Sequence, residues 1–384
     1  MQKTLSSLSL SGLLTLSVAV WLLAGCAPRV ATSFWRIGTP ADSVRPGYAV
    51  LHEGKKVRHC YPVTEWTAYY GVPGVNQQSV CDGESGGPSR PSIKRSGIDS
   101  RDLGAERENT YNSFHHHGVA VESELMAYRI YFDKKQTIDV YCKRTPQLEL
   151  ATSYWYPNDS LLADGYGDDI LRVSGTVGVG TVKYWDGKLR HIENVAQRRQ
   201  RIVRQTRKSA TIEVADLGWQ PFSTPCGEDG RGLDLVVHYT LQAGHRDMRC
   251  DVWISEPVEG LCTGVQTIPA KGQNDKSQIS NIKLPNGTLL VSFGTDWPVN
   301  DTVKYAKETV GIAVFIPKQF AGEAVQDKSN NLCLLKPIAS SRQTAEGCQA
   351  HFYLTCVGAT KENHPVATNA TEWIEYLRRW AEKF

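Results

Sequence analysis

Leu125-Met126-Ala127-Tyr128-Arg129-Ile130-Tyr131-Phe132, and Ile138-Asp139-Val140-Tyr141-Cys142-Lys143 after the polar turn Asp133 to Gln136, form the stretch that decides the fold. Both runs are rich in aromatic and β-branched residues and alternate with period two, the signature of paired strands. Alternation sends neighbouring side chains to opposite faces. Met126, Tyr128, Ile130 and Phe132 then make a core face, and Leu125, Ala127, Arg129 and Tyr131 share the other. Just upstream lie His115, His116 and His117, then Glu122 and Glu124. This window therefore holds the densest set of groups able to move protons or hold an anion.

Outward from there the β pattern continues. Ile202 to Arg204 pairs with Ala210 to Val214, and Leu233 to Gln242 with Asp247 to Ile254 through the turn Ala243-Gly244-His245-Arg246. Further strands fit Leu289 to Phe293, Val310 to Ile316 and Ala350 to Val357, with a glycine-rich strand at Val173 to Val182. Thr152 to Asp169 has loop composition with large aromatics. Asn369 to Phe384 reads as an amphipathic helix, with Thr371 as N-cap and Trp373, Leu377, Trp380 and Phe384 as its apolar stripe. No βαβ alternation, dinucleotide fingerprint or P-loop is present. The expected class is all-β, a large antiparallel β-sandwich closed by a C-terminal helix.

The N-terminus is read as a lipoprotein signal. Lys3 supplies the positive start, Leu5 to Leu22 the apolar run, and Leu23-Ala24-Gly25-Cys26 a lipobox. Residues 1–25 would be removed, Cys26 lipidated, and residues 26–45 would be a tether to a single domain over 46–384. No aspartate follows Cys26, which favours the outer membrane, facing the periplasm. An irregular, Gly/Pro/Ser-rich insertion is expected at about residues 60–112. Of the ten cysteines, Cys60 and Cys81 flank a Gly/Pro/Ser-rich region and suit a bridge, Cys333, Cys348 and Cys356 offer another, and Cys142 and Cys250 fit as buried small hydrophobes. With 43 basic against 40 acidic residues the chain is near balance, which argues against nucleic acid. The densest basic run, Arg198 to Arg204, reads as a solvated strand or edge face.

Several blocks resemble a bacterial lipoprotein family, domain of unknown function 4861. They are His117-Gly118 through Glu122, Glu124 and Ala127 to Tyr131, then Gln147 to Leu150, Gly165 to Leu171, Tyr239 to Asp247, Cys262 to Gln266, and Gly294 to Trp297. The resemblance implies a galactose-mutarotase-like supersandwich and exported proteins encoded beside pectin- and uronate-degrading enzymes. The implied partner is an acidic oligosaccharide, reached by a protein held at the membrane through a lipid anchor.

The residues themselves suit that substrate in three ways. A lyase needs a base, an acid and a charge neutraliser, for which His117, Tyr131 and Arg129 would serve. A hydrolase needs two carboxylates about 5–10 Å apart, for which Glu122 and Glu124 are placed about 7 Å apart if extended. A mutarotase or epimerase would use His117 and Glu124. Tyr154, Trp155 and Trp297 offer flat platforms for sugar rings, and Asp168 and Asp296 polar contacts. A non-catalytic carbohydrate-binding lipoprotein would use the same groups. Each also has a structural reading: Arg129 as a cross-strand ion pair with Glu124 or Asp139, and Asp168-Asp169 as a turn. Calcium at those aspartates is conceivable but unsupported, so no cofactor is expected. Adjacent histidines diverge in extended backbone, so no metal site is expected either.

Overall fold

The computed structural model describes the backbone of residues 48–50, 65–69 and 80–82. It also describes residues 118–384, apart from 151–152, 154–156, 196, 207, 223–231, 270–277, 299–302, 304 and 340–346. Cys26, His117, Tyr154 and Trp155 lie outside the described residues, as do the signal and the tether up to Gly47.

Strands β1 (Tyr48–Val50), β2 (Glu65–Tyr69) and β3 (Val80–Asp82) come first. The deciding stretch folds as β4 (Gly118–Glu122), β5 (Met126–Tyr131) and β6 (Ile138–Cys142). Helix α1 (Asp159–Ala163) and the short β7 (Asp168–Asp169) follow. Next come β8 (Lys183–Trp185), β9 (Leu189–Arg190), β10 (Gln197–Gln205), β11 (Ser209–Trp219), β12 (Leu233–Gln242), β13 (Met248–Ile254) and β14 (Leu261–Gln266). The chain ends with β15 (Gln278–Leu284), β16 (Gly287–Asp296), β17 (Glu308–Pro317), β18 (Ala321–Gln326), β19 (Asn330–Leu335), β20 (Ile338–Ala339), β21 (Cys348–Gly358) and helix α2 (Ala370–Ala381).

Among the described residues these strands build three sheets. The large one runs β15-β16-β17-β21-β13-β12-β11-β10-β2-β3, with β20 beside β21. The two smaller ones run β1-β4-β5-β6-β7 and β18-β19-β14-β8-β9. Pairing is antiparallel except at β1–β4. One apolar cluster draws on all three sheets: Tyr128 and Ile130, Ile212, Val237 and Leu354, and Tyr184 and Leu261. Both smaller sheets thus cover the same face of the large one, the layered solution for surfaces apolar on one side. The other face of the large sheet carries α2. There Trp373, Leu377 and Trp380 pack on Leu289, Val291 and Phe315.

The all-β class, the deciding strand pair, the 243–246 hairpin and the terminal helix are as the sequence predicts. Several local expectations are corrected. Residues Val173 to Val182 form turns and isolated bridges, because Gly178 and Gly180 adopt φ of 60° and 69°, left-handed values foreign to a strand. A short helix interrupts the expected loop, capped by Asn158, whose Oδ1 accepts from Leu161 N at 3.0 Å. The C-terminal helix is capped by Asn369, not Thr371. β2 and β3 fall inside the stretch expected to be irregular. The basic run is no edge: β10 lies between β11 and β2, and Arg198 is buried and paired with Asp216 at 2.7 Å.

Candidate functional site

The site is built on the second face of β5. Direct register places Arg129 opposite Asp139 on β6. Its Nε and Nη2 donate to Asp139 Oδ2 at 3.1 and 2.6 Å. Nη2 also reaches Tyr131 Oη at 2.5 Å and Asp169 Oδ2 on β7 at 3.4 Å. The Tyr131 hydroxyl donates to Asp139 Oδ2 at 2.9 Å. The guanidinium lies over the rings of Tyr131 and Tyr141, at 4.6 and 5.0 Å from their centroids. Arg129 is wholly buried because Ala120, Ala127, Tyr141 and Leu150 make a small second core on this face. One cation is thus shared by two aspartates out of contact with water. Burial, and then the neighbouring Asp139 charge, push the Asp169 carboxyl well above the usual range, with Arg129 opposing.

Tyr131 and Asp169 from this cluster reach a cleft of about 920 Å³. Its wall is assembled from strand ends and turns of different sheets: Lys135 after β5, Arg172 after β7, Asp296 at the end of β16, and Asn330 at the start of β19. Arg172 faces Asp296 at 3.6 Å, longer than a hydrogen bond, and its side chain is 41 % exposed. The Lys135 turn is fixed from both sides. Asp133 Oδ1 accepts from Lys135 N and Gln136 N at 2.8 and 2.9 Å. The buried Lys183 ammonium donates to the Lys135 carbonyl, to Thr137 Oγ1 at 3.3 Å and to His191 Nδ1 at 3.0 Å. Burial lowers Lys183 to about 7, and burial with the Lys183 charge lowers His191 to about 3.

The model of the domain of unknown function family DUF4861 matches residues 89–384. The chain belongs to this family. No curated protein matches it. Among solved structures it is similar to the galactosidase domain of the alpha-galactosidase-sucrose kinase AgaSK, at 10 % identity and a TM-score of 0.26. It is also similar to the GH36 alpha-galactosidase AgaA from Geobacillus stearothermophilus in complex with raffinose, at 8 % identity and a TM-score of 0.25. Each likeness covers 63 % of this chain and 41 % of the other, so the chain spans about two fifths of the length of those structures.

In this DUF4861 chain the expected site residues do not all meet. Tyr131 and Asp296 line the cleft. Arg129 stands behind Tyr131 and Asp169. Glu122 ends β4 and Glu124 lies in the turn between β4 and β5, so they do not project from one extended strand. Glu122 is buried against Lys143 and accepts the backbone N–H groups of Glu149 at 2.9 Å and Leu150 at 3.0 Å. Glu124 accepts from Gly244 N at 3.1 Å and so ties the β12–β13 turn to β5. Asp168 is buried, its Oδ1 accepting from Asp169 N at 2.8 Å. Trp297 lies between the lining residues Asp296 and Pro298, with Lys307 Nζ 5.7 Å from its ring centroid. The groups missed by sequence reasoning are Asp169, Arg172, Lys135 and Asn330. Asp169 was visible in the Gly-Asp-Asp-Ile block 167–170 but reads there as a turn. Among the described residues no group of three His, Cys, Asp or Glu is placed to hold a metal ion.

Proposed function

We propose that this protein is a carbohydrate-active enzyme that cleaves uronic-acid-containing oligosaccharides in the 920 Å³ cleft, as lyase or hydrolase. The observation that carries the reading is that Asp169 and Tyr131 both line a cleft that Arg172 and Lys135 also line. An acidic sugar needs a planar cation for its carboxylate, and Arg172 is the cleft arginine with an exposed guanidinium. Arg129, buried and committed to Asp139, positions Tyr131 and Asp169 instead of gripping substrate.

Asp169 is the proton donor in this reading. Burial holds its proton to higher pH than an ordinary carboxyl, and both elimination and hydrolysis require a proton on the leaving glycosidic oxygen. Asp296, across the cleft rim, is the second carboxylate that hydrolysis would call on. The galactosidase likenesses lie too far below the level of shared architecture to contribute. Anchoring at the outer membrane through a lipid on Cys26, facing the periplasm, belongs to the same proposal and rests on the lipobox.

The deciding experiment incubates the purified protein with pectic and other uronate oligosaccharides, following ultraviolet absorbance from unsaturated products and the release of reducing ends. New absorbance indicates a lyase, and reducing ends without absorbance a hydrolase. Calorimetric binding without product supports a carbohydrate-binding lipoprotein instead. Neither binding nor turnover across the panel sinks the proposal.

A further inference from the structure

We propose that Ser174 is a substrate contact: its hydroxyl and the Arg172 guanidinium together receive one uronate carboxylate, on a turn that Gln266 and Asn330 hold in place. The identity of the carboxylate rests on the function proposed above. Among the described residues three that are not glycine adopt left-handed φ: Gln136 at 49°, Ser174 at 45° and Asn194 at 55°. Asparagine tolerates this backbone, because its short side chain can bond locally. Gln136 has a structural reason, since its buried side chain donates to Asp216 Oδ1 at 2.9 Å. Ser174 has neither. It is exposed, it lines the cleft, and its hydroxyl has no hydrogen-bond partner among the described residues. Glycine carries such φ freely and is the very next residue, yet φ at Gly175 is not positive. The strain therefore falls on the residue of the turn that bears a hydroxyl, the pattern of a backbone held for its side chain.

The turn is pinned at both ends. Thr176 N donates to Val173 O at 3.0 Å and closes it. Gln266, buried at the end of β14, donates through Nε2 to the Arg172 carbonyl at 3.2 Å and accepts the Thr176 hydroxyl at 2.7 Å. Asn330, buried at the start of β19, accepts from Val177 N at 2.8 Å and donates to Asp327 Oδ1 at 2.9 Å. On the other side a Cβ on Gly178 would fall 2.6 Å from the Ile138 carbonyl, so the chain is pressed onto β6.

Val173 is anchored in the main apolar cluster, while Arg172 and Ser174 on either side of it are exposed and line the cleft. Two donors thus flank one anchored residue. A guanidinium and a hydroxyl can both donate to a carboxylate, and a fixed backbone spares the entropy of arranging them on binding. Gln266 and Asn330 act through that backbone and are positioning residues.

The test measures wild type, Ser174→Ala, Ser174→Gly and Gln266→Met with trigalacturonate, trimannuronate and triguluronate, each as free acid and as methyl ester. The constant read is Kd by calorimetry, or KM where the sugar is turned over. Ser174→Ala should weaken the free acid about three- to tenfold, the loss of one hydrogen bond to an anion at an exposed site, and leave the ester within about twofold. Ser174→Gly should weaken it equally while its thermal midpoint stays level or rises by up to about 3 °C, because glycine carries φ of 45° without strain. Gln266→Met removes both bonds to the turn and should weaken the acid about threefold or more, sparing the ester and kcat. An unchanged free-acid constant in Ser174→Ala overturns the proposal, as does an equal loss on acid and ester, which marks a fold defect. A lower midpoint in Ser174→Gly overturns it too, since the serine would then serve the fold. If Gln266→Met does not fold, the two serine variants decide. A wild type that binds none of these sugars takes the uronate reading down with the proposal, whereas binding indifferent to Ser174 leaves that reading standing.

Discussion

Asp169 and Glu122 show how differently two buried carboxylates are used. Asp169 shares one arginine with Asp139 and belongs to the cleft wall, with its side chain almost wholly buried. Asp169→Asn keeps its shape and a hydrogen bond to Arg129 but cannot donate an acid proton. It should lower turnover by about 10²–10⁴-fold with little change in the unfolding midpoint. Because a proton donor must carry its proton, wild-type turnover should fall as pH rises through the elevated Asp169 pKa, and a pH–rate profile checks that limb. Arg172→Ala should raise KM for a uronate oligosaccharide roughly tenfold or more and leave the affinity for a neutral analogue unchanged, as isothermal calorimetry can measure. Glu122 has no such freedom, since Lys143 and two backbone N–H groups take up its oxygens. Glu122→Gln leaves a buried ammonium without its counter-charge, and should cost about 3–5 kcal/mol in urea unfolding. Glu122→Gln with Lys143→Met should recover much of that loss.

The elements differ in how far local sequence announces them. Helix α2 was legible as a stripe, since Trp373, Leu377 and Trp380 recur on one face and are buried on the large sheet. Trp373→Ala should cost about 3–5 kcal/mol by the same urea measurement. Its cap, Asn369, lies two residues before Thr371, the cap the sequence suggests. Asn369 Oδ1 accepts from Glu372 N at 3.0 Å, and Glu372 Oε2 accepts from Thr368 N at 2.8 Å, a reciprocal clasp related to the capping box. The Asn-x-x-Glu spacing was there to be read. β10 was not readable in this way. Its charge looks solvated until Asp216, on the neighbouring strand, neutralises Arg198 in the interior. Likewise period two placed Arg129 and Tyr131 on one face, and register alone makes that face a second interior.

At the scale of the molecule, the site escapes the sequence because its wall is made of turns from three sheets. Lys135, Arg172, Asp296 and Asn330 are scattered over nearly two hundred residues and meet only after the sandwich closes. The Lys183–His191 pair that fixes one of those turns gives a global signal. His191 is lowered from 6.5 to about 3 in the fold. A depressed histidine contributes stability that is present above pH 6.5 and is lost as pH falls toward 3. His191→Asn should therefore flatten the decline of the urea midpoint across that window relative to wild type.

The pairing of β1 with β4, and of β2 with β10, also bears on where the protein can be cut. The family match begins at Ser89, downstream of β1, β2 and β3. A fragment started there would keep most of the core but strip one flank from each of two sheets, leaving the backbone groups of β4 and β10 unsatisfied. Open flanks of this kind recruit strands from other copies. On size exclusion that fragment should run as oligomer or precipitate where the longer chain does not, so the useful boundary for dissecting this family lies before Tyr48.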